Sequence, residues 1–400
     1  MTEKSKKVST EPYKGVRDFY PKDMAVQNYI FDVWRKVLER YGYEEYNASI
    51  LEPAELYRSK TSEEIVNEQT YTFTDRGGRE VTLRPEMTPT VARMVAGCRR
   101  ELPTPLRWFS IPNCFRYERP QRGRTREFWQ LNADIFGVSG IEADTEIISL
   151  AHDIMTAFGA KDSDFQIQVN NRKLLDTLPS SAIPLLDKKG KMSAEEFATE
   201  WKKISDTPFA LEADTETIAV IETLKKRAIS NVIFNPSVVR GFAYYSGIVF
   251  EIFDTHADNN RSIFGGGRYD NLLEMFGDEK VPAVGFGMGD VIMRDFLDTH
   301  GLLPKIAPSA TVMLCPISSE YADTTELLAK ELRNNGINVA MYYGDKKIGD
   351  QIKVADKKHI PYIVCIGEEE QKTSRYTLKE LVRGEETTGT VAELSKKLSA

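Results

Sequence analysis

An arginine-rich segment is the part of the chain whose residue types most clearly imply chemistry. Between Arg116 and Arg126 the sequence holds five arginines and one acid, Glu118. Guanidinium groups are permanently charged and offer paired, planar donors to phosphate oxygens. Because the chain has no GxxxxGKS or GxxxxGKT sequence, side chains would have to hold a bound nucleotide in place of a P-loop. The segment predicts an anion site, and a solvated surface loop is the alternative that charge alone leaves open.

A predicted strand follows this segment and carries polar groups on one face. Phe128, Gln130, Asn132, Asp134 and Phe136 share that face, and apolar residues occupy the other. Polar residues on one face are also typical of strands exposed to solvent. Since an aromatic residue stands at each end of the polar face, we favour a ligand cavity. Two glycine-rich segments, at 265–270 and 284–289, would let backbone approach a ligand closely, although such clusters often form only tight turns.

Length and composition exclude several classes of protein. The chain has 400 residues, of which 41% are hydrophobic and 28% charged, which is ordinary for a globular protein of two or three domains. We expect no transmembrane helix, because no run of about 18 apolar residues occurs, and the polar start over residues 1–7 predicts no signal peptide. Four cysteines and four histidines are scattered, so we expect no metal site, no prosthetic group and a reducing, cytoplasmic environment. The net charge of −7 argues only weakly against nucleic-acid binding, because binding depends on local patches.

The pattern of elements predicts two domains of different class. After a flexible tail over residues 1–10, residues 11–300 fit an α+β domain on an antiparallel sheet, with a helical insertion at about 170–228. Residues 301–309 fit a linker, and residues 310–400 alternate strands and helices as an α/β domain does. The detailed expectations are helices over 23–41 and 391–398, helices capped by Thr88 and by Asp290, a hairpin of 71–74 with 80–83, two strands within 107–137, and strands at 43–51, 238–254 and 261–264.

Five segments in order resemble motifs of histidyl-tRNA synthetases, a family of class II aminoacyl-tRNA synthetases. The segment 115–124, FRYERPQRGR, resembles class II motif 2. KGVRDF at 14–19 resembles the family's N-terminal signature, and LRPEMT at 83–88 resembles its amino-acid-binding turn. VRGFAYY at 239–245 and GGRYD at 266–270 resemble the two histidine-specific motifs. The C-terminal domain looks like the family's anticodon-binding domain.

The resemblance implies a role for each of several residues. Arg116 and Arg240 match catalytic arginines: the first grips the α-phosphate, and the second takes a role that a metal ion has in related synthetases. Glu118 and Arg124, together with Arg116, match ATP-binding residues that contact adenine and the phosphates. The implied histidine-binding residues are Glu86 and Thr88 at the α-ammonium group, Gln130 beside them, and Asp134, Tyr244 and Tyr245 towards the imidazole.

Three positions depart from the family's pattern. Ala243 stands where an acid is usual, and Ser49 where motif 1 usually has a proline. Ile292 occupies the position of the motif 3 arginine, which leaves open how the γ-phosphate is held. Arg124 is the better candidate for that task and Arg294 the weaker one.

The resemblance as a whole implies ATP-dependent ligation of L-histidine to its tRNA through histidyl-adenylate, with release of AMP and pyrophosphate. ATP with Mg²⁺, L-histidine and tRNA(His) are the expected substrates, and a homodimer is the expected assembly. A regulatory subunit of ATP phosphoribosyltransferase, which resembles the same catalytic domain, is one alternative; the retained Arg116, Arg124 and Arg240 and the C-terminal domain argue against it. A class II synthetase for another amino acid is a second, and Asp134 with segment 240–245 argues against that.

Overall fold

The chain folds into two compact units. A computed structural model describes residues 8–58, 69–189, 192–240, 244–259, 261–277, 280–344 and 346–399. The first unit extends to Pro304 and the second begins at Lys305. Each unit has its own hydrophobic core. Within the described ranges, no helix combines the length and apolar character needed to cross a membrane.

The described residues of the first unit contain twelve strands and nine α-helices. The strands are β1 (Glu44–Glu45), β2 (Leu51–Pro53), β3 (Tyr71–Thr74), β4 (Glu80–Leu83), β5 (Leu106–Ser110), β6 (Asn113–Phe115), β7 (Glu127–Phe136), β8 (Phe165–Asn171), β9 (Val232–Phe234), β10 (Ile248–Asp254), β11 (Ser262–Arg268) and β12 (Ala283–Gly289). The helices are α1 (Pro21–Arg40), α2 (Glu55–Arg58), α3 (Thr88–Cys98), α4 (Ile141–Ala157), α5 (Arg172–Leu175), α6 (Ala182–Lys188), α7 (Ala194–Trp201), α8 (Thr215–Lys226) and α9 (Asp290–Thr299).

A nine-stranded sheet organises this unit. Its order is β1-β5-β7-β12-β11-β10-β8-β9, with β6 paired to β7 as well. Neighbouring strands are antiparallel except at the two ends, where β1 pairs with β5 and β8 with β9 in parallel. A separate three-stranded sheet has the order β2-β4-β3. The predicted antiparallel α+β domain is therefore confirmed.

The predicted alternation along β7 sets the two faces of the large sheet. Leu131, Ala133 and Ile135 are buried in the main core, which α1, α4, α8 and α9 also line. Gln130 and Asn132 lie on the opposite face, where they line a cavity. Period-two alternation makes one face hydrophobic and leaves the other free for polar groups.

Helix α1 illustrates why local pattern predicted most elements well. Val26, Ile30, Trp34 and Val37 are buried along one side of the helix at the spacing of a helical face. The helix begins at Pro21, two residues before the predicted start, because proline suits the first turn, where its missing N–H is not needed. After the helix, Gly42 adopts a φ of +75°.

Several expected boundaries are wrong. The predicted strand over 43–51 is two short strands, β1 and β2, and the region 107–137 holds three strands instead of two. The stretch from 235 to 247 has no strand among its described residues, so only β10 remains of the strand predicted over 238–254. The glycines at 265–267 belong to a continuous strand, β11, instead of a turn. The hairpin of β3 with β4 is confirmed.

Both predicted helix caps are also wrong. The cap position of α3 is Met87, so Thr88 lies inside the helix and its side chain lines a cavity. Gly289 is the cap of α9, and the Asp290 side chain makes no capping hydrogen bond. Its buried carboxylate instead accepts hydrogen bonds from Arg17, Gln27 and the backbone N–H of Trp129. These tertiary partners outcompete the local cap.

Residues 170–228 do not form one uniform helical piece. Strand β8 ends at Asn171, and α8 packs Val220 and Leu224 into the main core. Between them a small separate core contains Leu175, Ala182, Leu186, Phe197, Trp201 and Val239.

The second unit is a mixed sheet with helices. Its elements are β13 (Val312–Pro316), α10 (Ala322–Asn334), β14 (Val339–Met341), α11 (Ile348–Lys357), β15 (Tyr362–Ile366), α12 (Glu368–Thr373), β16 (Tyr376–Glu380), β17 (Glu386–Gly389) and α13 (Val391–Leu398). The strand order is β14-β13-β15-β16-β17. Strand β13 pairs in parallel with β14 and β15, and the pairs β15–β16 and β16–β17 are antiparallel. This confirms the predicted α/β class, and α13 has the predicted bounds.

Candidate active site

Two cavities lie side by side on the polar face of the large sheet. The inner cavity is lined by Glu86, Thr88, Arg116, Gln130, Asn132, Arg240, Tyr244, Tyr245, Tyr269 and residues 285–287. The outer cavity has a volume of about 500 Å³, and its lining includes Glu118, Arg124, Phe128, Glu251 and Ile292. Arg116, Gln130, Arg240 and Gly287 line both cavities. A ligand in one cavity would therefore meet a ligand in the other beside these two arginines.

A buried carboxylate defines the inner cavity. The Glu86 side chain comes from the turn before α3, and only 3% of the residue is exposed. Tyr244 donates a hydrogen bond from its hydroxyl to Glu86 Oε2 over 3.1 Å. Burial, followed by the Glu86 charge, raises the pKa of Tyr244 well above its ordinary value, so the phenol remains a donor. A buried, oriented carboxylate of this kind suits a cationic ligand group such as an ammonium.

Asp134 lies deeper than the sequence suggested. Its residue is 2% exposed and is absent from the lining of the inner cavity, whereas Tyr269, which donates a hydrogen bond to Asp134 Oδ1, lines that cavity. The second oxygen, Oδ2, is buried without a hydrogen-bond partner among the described residues. Burial raises the pKa of Asp134 to about 7, and the Tyr269 hydrogen bond opposes that rise. Tyr269, which the sequence placed in a motif but gave no role, thus connects Asp134 to the cavity.

Glycines in β12 make room for the polar side chains of β7. A Cβ atom at Gly285 would lie 2.2 Å from Asp134 Oδ1, and one at Gly287 would lie 2.8 Å from Gln130 Nε2. Both separations are shorter than atoms tolerate without movement. These glycines are needed for close approach of side chains across the sheet, which explains the glycine-rich sequence better than a turn does.

Arg240 is held at the junction of the two cavities. Its guanidinium donates to Glu251 Oε1 over 2.8 Å and to the backbone oxygen of Gly265 over 3.2 Å. Arg240 also has a φ of +54°, a conformation that non-glycine residues seldom adopt. Burial lowers the pKa of Arg240, but Tyr245 and Glu251 outweigh that effect and raise it above its ordinary value. The sequence analysis did not single out Glu251, although an acid in the middle of the otherwise apolar strand β10 was a signal.

The arginine-rich loop, residues 116–126 between β6 and β7, supplies the remaining polar groups of the two cavities. Arg116 donates from Nε to the backbone oxygen of Pro85 over 3.0 Å, and its guanidinium lies 5.2 Å from the Phe128 ring centroid. Arg124 is 60% exposed and forms an ion pair with Glu118 over 3.4 Å. Arg116, Phe128, Arg124 and Glu118 all line the outer cavity. The outer cavity thus offers a held arginine, Arg116, a more exposed arginine, Arg124, and an aromatic face, a combination suited to a nucleotide.

The position of the expected motif 3 arginine is apolar. Ile292 lines the outer cavity and packs partly against the main core. Arg294, the weaker substitute suggested by the sequence, forms an ion pair with Asp23 on α1 over 2.8 Å. Ser49, the other departure that can be described, precedes β2, whereas Ala243 lies outside the described residues.

Within the described residues, no cluster of three or more histidine, cysteine or acidic side chains could hold a metal ion. The acids at the cavities, Glu86, Glu118 and Glu251, are each engaged with a tyrosine or arginine side chain.

The antiparallel sheet, the arginine-bearing loop and the paired cavities define the catalytic domain of a class II aminoacyl-tRNA synthetase. Comparison with known proteins narrows the class. A histidyl-tRNA synthetase family model matches residues 15–194 and 174–289, and an anticodon-binding domain model matches residues 311–400. The chain belongs to the histidyl-tRNA synthetase family.

Individual relatives agree over nearly the whole chain. A histidine–tRNA ligase of Leptospira biflexa is 44% identical, covering 99% of this chain and 98% of the relative. One of Thermoplasma volcanium is 37% identical, covering 96% and 97%. The solved histidyl-tRNA synthetase structure from Nostoc sp. PCC 7120 superposes with a TM-score of 0.83 at 22% identity, covering 98% of this chain and 99% of that one, which supports the fold.

Proposed function

We propose that the chain joins L-histidine to tRNA(His) in two steps, with ATP as the energy source and histidyl-adenylate as the intermediate. The observation that carries this proposal is the junction of the two cavities. The inner cavity offers the buried Glu86 carboxylate, the outer cavity offers a nucleotide-sized space, and Arg116 and Arg240 line both. The identity of the amino acid and of the tRNA is inferred from family membership.

In the first step the histidine carboxylate attacks the α-phosphorus of ATP, and pyrophosphate leaves. Glu86 and Thr88 bind the α-ammonium group, with Gln130 beside them. Tyr244, Tyr245 and, through Tyr269, Asp134 enclose the imidazole. Attack places additional negative charge on the phosphorus oxygens, and fixed cations at that point stabilise the transition state. Arg116 and Arg240 are the fixed cations at the junction.

The adenosine and the leaving phosphates occupy the outer cavity. Glu118 contacts the adenine and Arg124 the distal phosphates, while the Phe128 ring offers a face to the base. ATP brings Mg²⁺ with it, and the ion supplies further positive charge to the phosphates. No prosthetic group is required, because the reaction is a group transfer between bound substrates.

In the second step a terminal ribose hydroxyl of the tRNA attacks the acyl carbon, and AMP leaves. The second unit, residues 305–400, carries the anticodon-binding domain and would contact the tRNA at the other end. We infer a cytoplasmic homodimer from family membership; the free state of all four cysteines suits a reducing compartment. Light scattering on the purified chain tests the dimer.

A regulatory subunit without ligase activity is the second candidate, and Ile292 is the observation that favours it. The experiment that separates the two is ATP–pyrophosphate exchange with each amino acid offered alone. The ligase predicts exchange with histidine and with no other amino acid. A complete absence of exchange would select the regulatory function, and exchange with a different amino acid would select another synthetase.

A further inference from the structure

The tip of the arginine-rich loop is tied to helix α9 by a group of ionic contacts. Asp295 on α9 accepts a hydrogen bond from Arg122 Nε over 2.8 Å and another from Arg261 Nη2. Arg261 in turn donates from Nη1 to the backbone oxygen of Arg122 over 3.0 Å. Arg122 also donates to the hydroxyl of Thr299, one turn further along α9. We call Arg122, Arg261 and Asp295 the loop anchor.

The loop anchor lies beside the position that lacks its arginine. Asp295 follows Ile292 by three residues on α9, so the two side chains share one side of the helix. Ile292 lines the outer cavity together with Gly123 and Arg124 of the loop. A motif 3 arginine would project from this same side of the helix. In this chain that side of α9 carries the Asp295 carboxylate, which binds Arg122 of the loop.

The backbone conformation at Gly123 allows the Arg261 side chain to pack closely against the arginine-rich loop. Gly123 has a φ of +78°, and a Cβ atom there would lie 2.7 Å from Arg261 Nη1. The guanidinium of Arg261 therefore packs directly against the loop backbone at the residue before Arg124. Only 19% of the Asp295 side chain and 30% of the Arg261 side chain are exposed, so water screens this pair less than a fully exposed one.

We propose that Arg261 and Asp295 are positioning residues that hold the arginine-rich loop over the nucleotide, and that they compensate in this way for Ile292. The loop anchor fixes Arg122 and Gly123, and thereby directs Arg124 towards the distal phosphates. Neither Arg261 nor Asp295 needs to touch ATP, since neither lines the outer cavity. The inference rests on the proposed function, because it assigns the outer cavity to ATP.

The sign of the Asp295→Ala effect separates positioning from simple electrostatics. Removing an acid near a polyphosphate site should tighten ATP binding if charge alone mattered. Positioning predicts the opposite result, because the loop loses its tether. Hydrogen bonds to charged groups suggest a weakening of about tenfold or more for Asp295→Ala and for Arg261→Ala. The double variant should show less than the sum of the two single losses, because Arg261 and Asp295 bind each other and hold the same loop residue, Arg122.

The experiment measures the dissociation constant of Mg²⁺–ATP by calorimetry, and the KM values of ATP and of histidine by exchange. Asp298→Ala is the matched control, since it removes an exposed acid from the same helix. We expect both anchor variants to weaken ATP binding and raise the KM of ATP, the KM of histidine to stay within about twofold, a scatter typical of uncoupled sites, and the melting temperature to change little.

Tighter or unchanged ATP binding in Asp295→Ala would overturn the proposal, as would strictly additive losses in the double variant. Weaker binding in Arg261→Ala together with tighter binding in Asp295→Ala would make Arg261 a direct phosphate ligand and would also overturn it. Failure of the proposed function has a different signature, since the wild-type chain would then show no histidine-dependent exchange while its calorimetry still reports on the loop anchor.

Discussion

The hydroxyl of Tyr269 donates a hydrogen bond to the buried carboxyl of Asp134 on the polar face of the catalytic sheet. Tyr269 lines the inner cavity and Asp134 lies behind it, so the tyrosine transmits the carboxyl's charge state to the cavity. With its pKa raised to about 7 by burial, Asp134 changes charge near neutral pH. The pair is therefore a source of pH dependence in stability and, under the proposed assignment of the inner cavity to histidine, in imidazole binding.

The first prediction concerns Asp134→Asn and stability. The pKa of Asp134 rises from 3.8 in the unfolded chain to about 7 in the folded one, so its stabilising contribution is complete below about pH 3.8 and is lost as pH rises through 7. An asparagine does not titrate. Urea unfolding should show the wild type losing stability relative to the variant between pH 5 and about pH 7, by about 3 kcal/mol at about 1.4 kcal/mol per pH unit, and no further relative loss by pH 8. A pH-independent difference between the two would mean that Asp134 is already ionised at pH 5.

The second prediction tests the close approach at Gly285. A methyl group there would meet Asp134 Oδ1 and the backbone oxygen of Ala133, so Gly285→Ala should destabilise the first unit by about 1–3 kcal/mol, as overpacking does. The KM of histidine should rise as well. Gly289→Ala in the same strand is the control, because a Cβ atom there has no neighbour within 4 Å. If both substitutions changed stability and the KM of histidine equally, steric contact at Gly285 would not be the cause.

The third prediction tests Arg240 at the junction of the cavities. Loss of one well-placed transition-state donor typically costs about 10²–10³ in rate, so Arg240→Ala should slow single-turnover formation of histidyl-adenylate by that factor. The fold should survive by circular dichroism. Arg35→Ala is a suitable control, since Arg35 also pairs with a glutamate, Glu45, but on the surface. A loss of only a few-fold in Arg240→Ala would exclude it from catalysis.

The fourth prediction compares two arginines as substitutes at the γ-phosphate. Arg124 lines the outer cavity, whereas Arg294 is paired with Asp23 on α1. Arg124→Ala should raise the KM of ATP more than about tenfold, the value of a charge-assisted hydrogen bond. Arg294→Ala should leave that KM nearly unchanged, with a stability loss below about 1 kcal/mol for a partly exposed pair. If the ranking were reversed, Arg294 would have the motif 3 role.

The fifth prediction separates the two units. A chain ending after Pro304 keeps Leu302 and Leu303, which pack against the main core, and it removes the whole second core. It should retain histidine-dependent exchange within a few-fold but lose most tRNA charging. Charging assays with purified tRNA test this directly. Full-rate charging by the shortened chain would refute the role assigned to the anticodon-binding domain.

The sequence by itself determined the class of fold and the family, and it named candidate residues for the site. Local sequence patterns predicted α1, the β3–β4 hairpin and α13, because each element is defined by residues close together in the chain. The alternation in β7 separated a core face from a polar face before any neighbour was known. Motif order named Glu86, Arg116 and Arg240, and the structure brings these three around one cavity.

Only the tertiary structure decided how those residues are held. Glu251 pairs with Arg240 from a strand that lies 11 residues on, Tyr269 reaches Asp134 across 135 positions, and Asp295 meets the loop across 173. The cap predicted at Asp290 was wrong for the same reason, since Arg17, Gln27 and the backbone N–H of Trp129 bind that carboxylate. The Thr88 side chain lines the inner cavity in place of capping α3. The local sequence pattern shows which secondary structure a segment favours. Which distant residues pair with its charged side chains depends on how the sheet and helices pack in the folded protein.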